Sequence, residues 1–144
     1  MLSPIQTRRH WLSRLVFEPH EEAVKKAEYR ADISLKHESR SDCWHVRLGL
    51  RFGPQPPNEG TFHCEVVFEG LFAVHPDFPP EKADDLVRMN GGAILYGAAR
   101  EMILNLTARS KHGPFELPTI DARMFLKKPG ETGGKASEVS GLTE

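Results

Sequence analysis

Two cysteines, seven histidines and twenty carboxylates are the side chains of this chain with which chemistry could be done. Cys43 and His45, either side of Trp44, offer the sulfur and nitrogen ligands that zinc takes, and His63 is the obvious further donor. Alternating patterns place these groups on neighbouring strands, but about 20 Å apart along the strand direction, too far for one ion. His63 and Cys64 look like a base beside a nucleophile, yet adjacent residues of a strand point to opposite faces and exchange no proton directly. Cys64 therefore reads as a small core residue. Asp84-Asp85 and Glu21-Glu22 have no closed apolar surroundings to shift a carboxyl pKa and read as solvated faces. Gly91-Gly92 lies outside any phosphate-binding or dinucleotide-binding glycine pattern. No catalytic residue, metal or cofactor is expected, and the chain is not read as an enzyme; a small hydrolase or metal protein resting on His45 and Cys64 is the minor alternative.

The side chains of these candidates must be held by something, and the length of 144 residues suits one domain able to bury roughly 70% of its unfolded surface. Nineteen basic residues against twenty acidic ones leave a net charge of −1, without the basic stripe that nucleic acid requires. No apolar run approaches the roughly 18 residues of a membrane span, and the start lacks the apolar core of a signal peptide, so a cytoplasmic location is expected. Two cysteines do not make a disulfide framework.

Four strands are predicted. Residues 1–9 read as loose, and 11–17 as a strand apolar on both faces: Trp11, Leu15 and Phe17 share one parity, Leu12 and Val16 the other. A charged connection over 19–27 suggests a crossover. Tyr29, Ala31, Ile33 and Leu35 then alternate with Arg30, Asp32, Ser34 and Lys36, as in a half-buried antiparallel strand. Residues 43–52 put Trp44, Val46, Leu48, Leu50 and Phe52 on one face and His45, Arg47, Gly49 and Arg51 on the other. In 62–74, Phe62, Cys64, Val66, Phe68, Phe72 and Val74 oppose His63, Glu65 and Glu69, and Gly70 marks a bulge or a close approach. The last two strands make a hairpin. A shared apolar face requires paired residue numbers with an even sum, near 112 or 114; at 114 His45 faces Glu69 and Arg51 faces His63.

A proline-rich loop with Pro76, Pro79 and Pro80 leads into a short helix. An Asn90-Gly91-Gly92 turn precedes a long helix over 90–109. Leu95, Ala99, Met102 and Leu106 form one helical stripe, widened by Tyr96 and Ile103, while Ile94, Ala98 and Leu104 fall outside it. A helix apolar around most of its circumference must be covered on more than one side, so its second flank is expected to meet another subunit. Residues 120–128 suggest a short second helix anchored by Met124 and Phe125 and ended by Pro129. The tail 129–144, rich in Gly, Ser, Thr and Glu, is expected to be disordered. The fold class is therefore α+β: a four-stranded antiparallel sheet, a long helix and a short second helix in one domain of residues 1–128.

Four segments resemble the SecB family of protein-export chaperones. FHCEVVFEGLFAV at Phe62–Val74 is similar to its strand pattern F-x-C-E-V-x-x-x-G-I/L-F-x-I/V. LYGAAREMILNLTAR is similar to its long-helix opening L-F-P-Y-A-R-E, and PFELPTIDA to its L-x-L-x-P-x-x-F-D-A segment. VFEP at 16–19 resembles its S-F-E-A-P. The likeness runs from about residue 11 to residue 128.

The resemblance implies an ATP-independent holdase without cofactors, assembled as a tetramer of two dimers, with long helices sandwiched between sheets and unfolded clients laid over apolar grooves. On that basis Leu12, Val16, Val67, Leu71, Phe78, Phe115, Met124 and Phe125 are expected to bind client. For the first five, burial at a subunit interface is the competing explanation. Leu95, Ala99, Met102, Ile103 and Leu106 are expected at the oligomer interface. The family's translocase motor, SecA, docks on an acidic sheet surface, which maps here to Glu18, His63 and Glu65. Arg14 and His63 stand where the family has Asp and Leu, and Gly97 and Ala98 replace its Pro and Tyr. Like charge disfavours a basic partner patch. A SecB-like chaperone dedicated to one client, such as the antitoxin of a toxin–antitoxin–chaperone system, is the alternative to general export.

Overall fold

In the computed structural model, residues 1–19, 27–38, 43–53, 62–127 and 137–143 are described, with backbone alone in 27–38, 52–53, 62 and 137–143. The expected crossover at 20–26, Glu21-Glu22, the loop before Phe62, and the side chains of Phe52, Phe62 and the Tyr29 to Leu35 series lie outside the described residues.

One antiparallel sheet runs in the order β1-β4-β3-β2-β5, from β1 (Ile5–Pro19), β2 (Ala27–Glu38), β3 (Cys43–Gly53), β4 (Phe62–Val74) and β5 (Ser137–Thr143). The architecture is α+β with an antiparallel sheet and a long helix, but the strand count differs from the four expected. Among the described residues the backbone forms five strands, and side chains are described in three of them, β1, β3 and β4. The extra strand, β5, lies within the tail read as disordered and pairs along β2 from Ala27↔Thr143 to Ile33↔Ser137. A strand edge offers backbone N–H and C=O groups to any extended segment, so side-chain composition alone is a poor guide to such pairing.

The β3–β4 hairpin pairs Trp44 with Phe72, Leu48 with Phe68 and Phe52 with Cys64, two residues beyond the expected register. Parity is unchanged, so the apolar sets still share a face: Val46, Leu48, Leu50, Cys64, Val66, Phe68 and Phe72 are all buried there. Gly70 pairs regularly with Val46 and His10 and carries no bulge. A Cβ at Gly70 would meet the Phe72 ring at 2.7 Å and Leu95 at 3.2 Å, so close approach is the reason for the glycine.

β1 starts at Ile5, earlier than expected, because Ile5 reaches the inner face opposite Val74 and is buried. Its mixed parity is resolved by two irregularities, between Thr7 and Arg9 and between Leu12 and Arg14. Each inserts a residue and reverses the phase. Leu12, Leu15 and Phe17 consequently oppose the inner-face residues Phe68, Val66 and Cys64, while Trp11, Arg14 and Val16 oppose the outer-face residues Glu69, Val67 and Glu65.

Helix α1 (Pro80–Leu86) starts with Pro at its first position, where the missing N–H costs nothing. The expected Asn90-Gly91-Gly92 turn is helical instead: a π turn over Val87–Gly91 joins α1 to α2 (Gly92–Ala108). Gly91 has ordinary helical angles, and a Cβ there would lie 3.2 Å from Val46 and 3.3 Å from Phe72. The glycine lets the helix descend onto the sheet rather than breaking it.

The side of α2 that faces inward carries Gly92, Leu95, Tyr96, Ala99, Ile103 and Thr107. Leu95, Ala99 and Ile103, expected at an oligomer interface, are instead 0%, 1% and 0% exposed inside the protomer's own core, and only Met102 and Leu106 of that set are left half-buried. On the second flank Ile94 stays 39% exposed and Ala98 and Leu104 half-buried, while the chain itself covers the edge next to the inner side. Residues 115–120 lie along α2, held by Tyr96 Oη donating to Pro118 O (2.6 Å), Arg100 Nε to Leu117 O (2.8 Å) and the Phe115 N–H to Thr107 Oγ1 (2.8 Å). This strap buries Leu117 and packs Phe115 and Ile120 on the core. The short second helix is reduced to a 3-10 turn, Ala122–Phe125, capped by the Asp121 carboxylate accepting from the Arg123 N–H at 2.9 Å.

Candidate functional sites

At the end of the sheet where β1 begins and β4 stops, a half-open hollow of about 840 Å³ is lined by Leu2, Pro4, Val74, Pro76, Phe78 and Pro79, with Gln6, Arg8, His75 and Asp77 among its polar groups. Its shape follows from short-range bonds. The His75 N–H donates to Pro4 O (2.7 Å), tying the chain start to the loop, and the Phe78 N–H donates to His75 O (2.9 Å), closing the turn that presents Phe78. Prolines at 76 and 79 fix φ and withhold N–H donors, leaving an apolar wall. A concave, mainly apolar surface with few polar groups suits an apolar side chain of a polypeptide.

Only Phe78 of the eight residues expected to bind client lies in this hollow. Leu12 and Met124 are each 37% exposed, Val16, Leu71 and Phe115 are half-buried, and Val67 and Phe125 are buried. Phe125 packs into the core from the 3-10 turn, and Val67 is enclosed on the outer face despite its parity. Burial removes both from any free binding surface. The missed residues, Leu2, Pro4, Val74, Pro76 and Pro79, had one signal, the prolines clustered around Phe78; the partnership of residues 2–4 with this loop is tertiary.

On the outer face, His45 Nε2 meets Glu69 Oε1 at 2.9 Å, diagonally rather than directly opposite, and Ser13 Oγ donates to the same carboxylate. Trp11 stacks on the His45 ring across β4 at 6.1 Å between centroids, and the Arg9 guanidinium lies 5.3 Å above Trp11. Glu69 is thereby held below its ordinary carboxyl range, chiefly by the Ser13 hydrogen bond, which outweighs an opposing effect of burial, with further lowering by the His45 charge and bonds from His45 and Trp11. Arg14 Nε meets Glu65 Oε2 at 3.1 Å. Glu18 pairs with His63 in register, so Glu18, His63 and Glu65 do share one end of this face, but Glu65 is engaged by Arg14.

Cys64 and His63 point to opposite faces, buried and half-buried respectively; burial, then the neighbouring Glu65 charge, pushes the Cys64 thiol up to about 12. Such a thiol is a poor nucleophile. Among the described residues no three His, Cys, Asp or Glu side chains gather as a metal site, and no helix is long and apolar enough to cross a membrane. Among the described residues Arg88 is the one charged side chain in the core: it is 0% exposed, and its Nε donates to Asp84 Oδ1 at 3.0 Å, an oxygen that also takes Lys127 Nζ at 3.2 Å. Its two terminal nitrogens have no acceptor among the described residues.

No family model matches the chain. A protein-export protein SecB of Bartonella quintana (strain Toulouse) is 31% identical over 91 residues, covering 62% of this chain and 57% of that relative. In fold, the chain is similar to a SecB-like chaperone of Mycobacterium tuberculosis in complex with a ChAD peptide from the HigA1 antitoxin, with a TM-score of 0.65, 20% identity, and coverage of 81% of this chain and 88% of that one. The chain is thus similar in sequence to a SecB protein over part of its length and in fold to a SecB-like chaperone. The aligned region spans little more than half the length of the Bartonella protein.

Proposed function

We propose that this SecB-like chain is an ATP-independent holdase that keeps unfolded or aggregation-prone polypeptides from collapsing, acting in the cytoplasm as a tetramer of two dimers. The hollow around Phe78 carries the reading. Unfolded chains differ from folded ones in exposing apolar side chains, and a preformed apolar concavity of this size takes such a group without a nucleotide-driven step. Client release then follows from competition between the hollow and the client's own folding. The test is aggregation of a chemically denatured client, diluted into buffer without nucleotide. The wild-type chain is expected to suppress light scattering, and Phe78→Asp to lose most of that effect while keeping its circular dichroism. Undiminished suppression by Phe78→Asp would move the client site elsewhere.

A dedicated client, such as an antitoxin, is the second reading, in place of general export through SecA. The Arg14–Glu65 pair at 3.1 Å favours it, because a carboxylate already engaged by an arginine is a weaker dock for a basic motor segment. A SecB-like protein of the same fold is bound to an antitoxin peptide in its structure. SecA binding at low salt, strong in the export reading and weak in the dedicated one, separates the two.

A further inference from the structure

We infer that the β2 edge of the sheet is a strand-addition site for an extended, proline-free segment of a partner polypeptide, and that β5 is a built-in occupant which such a segment displaces. A segment of this chain is already seated there: β5 pairs antiparallel with β2, from Ala27↔Thr143 to Ile33↔Ser137. The edge therefore accepts an extended strand of seven residues. What holds such a strand is main-chain N–H and C=O groups, which every polypeptide carries.

Register shows how poorly β5 suits the place it fills. β2 joins β3 with Ile33 opposite Leu48 and Ala31 opposite Leu50, so positions 27, 29, 31 and 33 belong to the inner face, where Leu48 and Leu50 are buried. A well-matched neighbour has apolar residues opposite these positions and polar ones opposite 28, 30 and 32. β5 instead sets Ser137, Val139, Gly141 and Thr143 in the inner-face register and places Leu142 opposite Glu28. A glycine such as Gly141 weakens the interior of a strand. Glu138 falls opposite Asp32, a like-charged pair in register. The pairing thus satisfies the backbone of β2 without the side-chain pattern that would make it firm. That combination fits a placeholder: a bare edge pairs with other copies and aggregates, whereas a firmly matched strand would not yield. A partner segment that alternates apolar with polar residues keeps the same main-chain bonds and adds the pattern that β5 lacks. The site is separate from the hollow around Phe78, which lies by β1 at the opposite edge of the sheet.

Fluorescence anisotropy of the full chain tests this with three labelled seven-residue probes: one with Val at odd positions and Thr at even ones, one with the same residues but the Val in a single run, and the first with Pro at its centre. The wild-type chain is expected to bind the first at least about tenfold more tightly than either of the others. Val139→Pro with Ser140→Pro loosens β5, because adjacent strand residues direct their N–H groups to opposite edges and one of the two must face β2. With competition from β5 removed, binding of the first probe should tighten by about tenfold. Gly141→Val should firm β5 and weaken the same probe by about threefold, which keeps the test decisive should the proline variant fail to fold. Amide exchange in residues 27–33 should quicken in the proline variant and slow again when the probe binds. Phe78→Asp should change none of this, so a failed client hollow and a failed β2 edge are distinguishable. Equal binding of the three probes, no gain on loosening β5, no loss with Gly141→Val, or a bound probe that leaves residues 27–33 unprotected overturns the inference.

Discussion

The inner and outer faces of β3 and β4 alternate residue by residue along the same two strands, yet they follow different rules. Inside, Val46, Leu48, Leu50, Cys64, Val66 and Phe72 gain by leaving water whatever their exact neighbours, because hydrophobic burial is non-directional. Outside, the outcome depends on which charge meets which, and a two-residue shift of register changes the partners. Arg47, not His45, stands opposite Glu69, while His45 reaches that carboxylate diagonally. The inner face thus defines the fold, and the outer face adds charge pairing that depends on register.

The largest effect should come from the inner face. Leu48→Ala, at a fully buried position, is expected to lower unfolding free energy by about 2–5 kcal/mol in urea titrations. A loss similar to that of an exposed substitution would dissolve the distinction between the faces. Arg88 sharpens it from the other direction. As a buried cation with two terminal nitrogens lacking acceptors, it should be replaceable by Met with a neutral result or a gain of up to about 4 kcal/mol, since Asp84 keeps Lys127. A clear loss on Arg88→Met would mean that those nitrogens find acceptors after all.

A smaller effect is expected at the strap. Tyr96→Phe removes the 2.6 Å bond to Pro118 O and should cost about 1 kcal/mol, with faster amide exchange in residues 115–120. Smallest is the outer cluster's pH response. Glu69 has a lowered folded pKa, so its contribution is fully present above its ordinary value of 4.5 and is lost as pH falls through the lowered folded value. The melting temperature of Glu69→Gln should accordingly lie slightly below wild type at neutral pH and converge with it in acid. A gap that widens in acid would contradict the Ser13 and His45 bonding.

Alternation made β3 and β4 legible, since a period of two separates faces without knowledge of partners. It failed on β1, where the irregularities at Thr7/Arg9 and Leu12/Arg14 reverse the phase and leave no mark in composition. Glycine was ambiguous for a related reason: Gly91 signals a turn by type, but here serves close packing on Val46 and Phe72. The interface stripe on α2 was misassigned because apolar periodicity shows that Leu95, Ala99 and Ile103 are buried, not by what. Polar Tyr96, Arg100 and Thr107 hold the strap along one edge of α2, and apolar counting passes over such residues. At the candidate site, Phe78 was legible as an apolar residue in a loop, whereas Leu2 and Pro4 join it only through tertiary contact.

The central claim is that polypeptide clients are held at the hollow around Phe78. Hydrogen–deuterium exchange of the full chain, with and without a bound unfolded client, tests it most directly. Protection is predicted in residues 3–8 and 73–79, with no comparable change at Leu48 and its core neighbours. A client that binds while leaving both of those segments unprotected would contradict the account.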